Sequence, residues 1–117
     1  MNWYLSKLVY QIICDNGSHT PQFDEQLRLI QAEDDLHAFQ KARLLGEREQ
    51  DLFLNKLNKP VCWKFIDVSE IHKLNQFADG AEMYSRINEE WDADIFINVT
   101  KLKATHLLEE CTRKTIN

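Results

Sequence analysis

The run "WYLSKLVYQIIC", from Trp3 to Cys14, constrains the fold more than any other part of this chain. It is rich in β-branched and aromatic residues. Both of its alternating sets are mostly apolar: Trp3, Leu5, Val9 and Ile13 on one side, Tyr4, Leu8, Tyr10 and Ile12 on the other. A strand of that kind belongs at the centre of a sheet, covered by a helix on one face and by something else on the other.

The cluster "DNGSHTP" follows, with Asn16-Gly17 a turn signal and Pro21 a strand breaker. Then "FDEQLRLIQA" alternates Phe23, Glu25, Leu27, Leu29 against Asp24, Gln26, Arg28, Ile30, which predicts a second, more exposed strand and a hairpin. The pattern changes to helical period in "EDDLHAFQKARLLGE". Asp34 or Asp35 can cap the start, Leu36, Phe39, Ala42 and Leu45 form an apolar stripe, and Ala38 and Ala42 allow close approach to the sheet. Gly46 either stops this helix or weakens one that runs on to about Asp51.

"LFLNKLNKPVCWKFIDVSEI" predicts another hairpin, with its turn over Asn55 to Pro60 and Pro60 opening the second strand. Val61, Trp63 and Phe65 should face one way, and the broken alternation at Phe65-Ile66 suggests a bulge. After the turn "ADG", "AEMYSRI" reads as a short last strand. A C-terminal helix is expected from about Thr100, capped by Asn98 or Thr100. The expected fold is therefore α+β and two-layered, in the order β-β-α-β-β-β-α, with a mainly antiparallel sheet, one helix packed on it and a C-terminal helix. Residues 1–117 make one domain in this reading, with 3–88 as its core and 89–117 as an acidic connection plus the last helix.

Four pieces taken together resemble a known family: "WYLSKLVYQI", "LIQAEDDLHAFQKARLLG", "FLNKLNKPVCWKFIDVSEIHKL" and "DGAEMYSRI". In that order they are similar to the bacterial family named domain of unknown function 4288, over Trp3 to about Ile87. The most specific parts are Trp3-Tyr4, the Asn55–Trp63 hairpin and the Asp79-Gly80-x-Glu82-x-Tyr84-Ser85 ending. One departure is Lys59-Pro60, where hairpins of this kind often carry Gly. The resemblance implies a fold and brings no catalytic residue, because the family has no assigned activity.

Charge and motif content bear on function. Nineteen acids against fourteen bases give a net charge of −5, which disfavours general binding to nucleic-acid phosphates. No apolar run approaches the ~20 residues of a membrane helix. The opening segment has no basic leader, so no signal peptide is expected and the protein is read as cytoplasmic. Three scattered cysteines suit reduced thiols. Phosphate-binding glycine motifs, zinc or calcium spacings and a nucleophile elbow are all missing, so no cofactor or metal is expected.

Two segments qualify as candidate sites. The loop "CDNGSHTPQFDEQ" offers His19 with Asp24 or Glu25 as an acid/base couple, and Cys14-x4-His19 as a partial metal pair. A solvated hairpin loop accounts for the same residues. The acidic segment Glu89, Glu90, Trp91, Asp92 and Asp94 could receive a basic protein, with Trp91 as its anchor. Its alternative is a solvated connection whose Trp91 packs back on the core. The expected function is a small non-enzymatic binding module, with a homo-oligomer or a basic protein as partner. The competing readings are an immunity-like partner of a basic toxin or nuclease, and a small enzyme or metal site on the His19 loop.

Overall fold

The computed structural model describes residues 1–14, 19–54 and 59–116. The turn expected at Asn16-Gly17 and residues 55–58 of the turn expected over Asn55–Pro60 lie outside the described residues. The described residues form two units, 1–85 and 86–117.

The first unit contains β1 (Asn2–Cys14), β2 (Gln22–Ala32), α1 (Asp35–Arg48), β3 (Asp51–Leu54) and β4 (Pro60–Leu74). The strands lie in the order β2-β1-β4-β3, and every neighbouring pair is antiparallel. The apolar strand β1 is central, as its two-faced pattern requires. The architecture is α+β.

One face of the sheet carries the core. Tyr4, Leu8 and Tyr10 of β1, Ile30 and Ala32 of β2 and Val68 of β4 are buried against Ala38 and Ala42 of α1. Ser6 lies in the same row, fully buried, and its hydroxyl has no hydrogen-bond partner. The contact face of α1 runs Ala38, Ala42, Gly46, a spacing of four that stacks them on one side of the helix. The expected stripe is therefore partly corrected. Phe39 and Leu45 flank the contact, but Leu36 is exposed, because close approach to a sheet full of Tyr and Leu favours the smallest side chains. Gly46 lies inside α1 and does not end it. The Tyr10 hydroxyl donates to its carbonyl at 3.0 Å, and the Phe65 ring occupies the space a Cβ would need.

Asp34 caps α1, its carboxylate accepting from the His37 amide at 2.8 Å. His37 answers by accepting at Nδ1 from the Glu33 amide at 3.0 Å, a reciprocal arrangement that fixes where the helix begins. The far end of the helix is tied to the sheet by Arg28, which forks onto Glu49 at 2.8 and 3.2 Å.

β4 departs from regular pairing with β1 twice. The register shifts between Val9 and Tyr10, which skips Ile66, so the bulge expected at Phe65-Ile66 is present. A second shift, between Lys7 and Leu8, skips Ser69. The Phe65 amide is taken up by the Gln50 side chain at 3.1 Å, just beyond the end of the β3 ladder.

Two further expectations need correction. Residues 81–87 are not a strand, so the sheet has one strand fewer than the sequence pattern suggested. This stretch has too few β-branched residues to hold a ladder, and Tyr84 packs instead edge-on against His72, at 4.9 Å between ring centroids. Phe77 does the same to Trp3 at 5.7 Å. The irregular segment after β4 thus supplies part of the second cover that β1 demands.

In the second unit, α2 spans Ala93–Ile116 and begins a full turn or more before Thr100. Asp92 starts it, accepting from the Ile95 amide through its carboxylate and from the Phe96 amide through its carbonyl, each at 3.2 Å. Thr100 is interior, and its hydroxyl bonds back to the Phe96 carbonyl at 2.9 Å. The β-branched residues Ile95, Ile97 and Val99 hid this first turn from a propensity reading.

Candidate functional site

The chemistry-bearing residues of the first loop do not converge. His19 is committed at both ring nitrogens: Nε2 accepts from the Cys14 amide at 2.9 Å, and Nδ1 donates to the Thr20 carbonyl at 2.8 Å. That fixes one neutral tautomer and makes the ring a clasp across its own loop. Asp24 points to the helix-covered face, where Oδ2 accepts from Gln26 at 2.7 Å and from the Trp63 indole at 3.2 Å. Glu25, one residue on, points to the opposite face and lies 3.7 Å from Lys7. Strand alternation separates the two carboxylates. Among the described residues, no group of three or more His, Cys, Asp or Glu side chains could hold a metal ion.

A different cluster assembles on the face turned away from α1. Lys7 of β1 reaches Glu70 of β4 at 2.8 Å, and Glu70 also bonds His72 Nε2 at 2.9 Å. The Tyr84 ring covers the group, 5.8 Å from the Lys7 ammonium. The Ser69 bulge makes this possible, since it brings Glu70 opposite Lys7 and leaves Leu5 opposite His72. A cleft of about 340 Å³ adjoins the cluster, bounded by His72, Asn75, Glu82, Tyr84 and Ser85 among others. The sequence reading overlooked these residues. The signal for them was Lys7, a cation in the middle of an apolar central strand that requires a buried or half-buried partner.

Hydrogen bonds from Lys7 and then from His72 hold the Glu70 carboxyl at about 2, well below the usual carboxylate range. Because the folded value lies below the unfolded one of 4.5, the stabilisation from this network is complete above pH 4.5. It is lost as pH falls toward about 2. Replacing Glu70 with Gln should flatten the acid limb of the stability curve in that window. Thermal midpoints followed from neutral to strongly acidic pH test this, and parallel wild-type and Glu70→Gln curves would refute it.

The same face also carries exposed apolar side chains. Phe23, Leu27 and Leu29 of β2 are 57%, 49% and 49% exposed, beside the half-buried Leu5 and Val9 of β1. In the second unit, Glu89, Glu90 and Trp91 are exposed, Trp91 completely. Asp92 and Asp94 serve the start of α2 as its cap and first-turn acid.

No curated protein and no solved structure matches the chain. The family model described as "Domain of unknown function" (DUF4288) matches residues 3–85, which takes in the described strands apart from Asn2, α1 and the Tyr84 ring over the Lys7–Glu70–His72 cluster. The chain belongs to that family.

Proposed function

We propose that this protein is a small, cytosolic, non-enzymatic binding module whose contact surface is the open sheet face built from β1 and β2. The observation that carries this reading is the exposure of Phe23, Leu27 and Leu29 together on one face. Large apolar side chains grouped on a strand surface lose free energy when covered, and such patches mark interaction sites. The Lys7–Glu25–Glu70 network among them, with Lys7 opposite Leu27, adds fixed charge that can set orientation. The engagement of both His19 nitrogens in closing its own loop supports a binding role over an acid/base one.

The acidic segment supports a second reading, a contact for a basic protein such as a toxin or nuclease, because Trp91 is wholly exposed among carboxylates. One experiment addresses both. Tagged wild-type protein, a Leu27→Asp/Leu29→Asp variant and a Trp91→Ala variant are used to capture partners from the source cells at low and high salt. A partner lost only with the sheet variant supports the first reading. A salt-sensitive basic partner lost only with Trp91→Ala supports the second. Equal recovery by all three proteins refutes both.

A further inference from the structure

We infer that a second copy of the chain pairs with the edge beside this surface, joined strand to strand through β2 in the two-fold register that sets Gln26 opposite the partner's Gln26. The inference goes beyond the binding-module reading, because edge pairing extends the open face and does not cover it.

β2 is an outer strand of eleven residues, and among the described residues no strand pairs with its second edge. Its eleven residues pair with β1 in an unbroken register, from Asn2↔Ala32 to Ile12↔Gln22, with neither bulge nor proline to blunt the edge. A long, regular edge with exposed Phe and Leu is a template for strand pairing, and natural proteins protect such edges or use them.

The charge pattern selects among the possible pairings. A two-fold antiparallel pairing must be centred on a single residue. Centring on Glu25 sets carboxylate against carboxylate, and centring on Arg28 sets guanidinium against guanidinium. Centring on Leu27 places Glu25 opposite the partner's Leu29 and Asp24 opposite the partner's Ile30, leaving both carboxylates against apolar side chains. Centring on Gln26 leaves Glu25 opposite the partner's Leu27, but it places Asp24 opposite the partner's Arg28 and Phe23 opposite the partner's Leu29, so one carboxylate of each copy gains a cation, and the symmetry makes each pair twice. Opposite charges and facing apolar residues are the cross-strand pairs that stabilise sheets. Asp24 and Arg28 both lie on the helix side, so the two copies of α1 would share one side of an eight-stranded sheet.

Charge reversal tests the register. The wild-type protein should sediment as a dimer at micromolar concentration. Asp24→Lys or Arg28→Glu alone should weaken it at least about tenfold by opposing like charges twice. The double variant Asp24→Lys/Arg28→Glu should recover the dimer. It does not restore the pair Arg28 makes with Glu49, so recovery reports the intermolecular contact. Should the single variants unfold, Gln26→Cys decides, because mild oxidation should link residue 26 to the partner's residue 26. A wild-type monomer, or a dimer indifferent to the reversals with no such crosslink, would overturn the inference. In the second case the binding-module reading still stands or falls by the sheet-face capture experiment.

Discussion

Truncating Leu8 to alanine is expected to lower the unfolding free energy by about 2–5 kcal/mol, among the largest single losses a small domain can sustain. Leu8 is fully buried at the centre of the central strand, between β2 and β4 and beneath α1. Its row continues through Tyr4, Ser6 and Tyr10, so the cavity would open where the sheet and helix layers meet. The neighbours offer little collapse. Ala38 and Ala42 are already small, and the Tyr10 ring is held by its hydrogen bond to Gly46 and by Phe65 at 5.5 Å. Limited relaxation puts the loss toward the upper part of that range, because the cost rises with the volume left empty. Urea unfolding monitored by tryptophan fluorescence measures it. A midpoint within error of wild type would mean that the core does not pass through Leu8.

Gly46→Ala is the second. In an exposed helix interior this change would stabilise by about 1 kcal/mol. Here the sign should reverse, because an added Cβ would fall on the Phe65 ring. That ring is confined by Tyr10, so it cannot swing away without disturbing the Tyr10 contact. Overpacking of this type costs about 1–3 kcal/mol and should outweigh the propensity gain. A companion variant separates the two effects. With Phe65→Leu in the background, Gly46→Ala should lose much of its cost, and the coupling should emerge from a double-mutant cycle. Additive effects would show that Gly46 and Phe65 do not compete for the same space.

Both variants act on the layer interface, which bears on the proposed function indirectly. The open face of the sheet is the reverse of the surface that Leu8 and Gly46 hold in place. Its exposed leucines can remain exposed because the other face buries enough to stabilise the domain. The edge pairing inferred for β2 relies on the same division: the even-numbered residues of β2 point to the helix side and carry the charge pair, whereas Phe23, Leu27 and Leu29 point outward.

Much of this was local and therefore legible. Two-faced apolarity fixed β1 at the sheet centre, alternation marked β2, and Asp34 announced the start of α1. A broken alternation was enough to locate the Ile66 bulge, since a one-residue slip shows up at once in which side chains are apolar. The sequence pattern failed where the deciding partner was distant. Residues 81–87 carry a weak strand pattern, but Tyr84 found its place against His72 and Lys7, which only the folded sheet brings near. The start of α2 was obscured because β-branched residues follow its cap, and propensity weighs residues one at a time.

For the site the division is sharper. The sequence by itself determined which residues could do chemistry, and it drew attention to His19, Asp24 and Glu25 because they are neighbours in the chain. Tertiary structure sent Asp24 and Glu25 to opposite faces, turned His19 into a loop clasp, and assembled Lys7, Glu70, His72 and Tyr84 from positions up to 77 residues apart. The physical reason is pleating combined with register. Neighbours on a strand alternate between faces, while residues far apart become neighbours only through a pairing that depends on a bulge at Ser69, which composition and local pattern do not reveal.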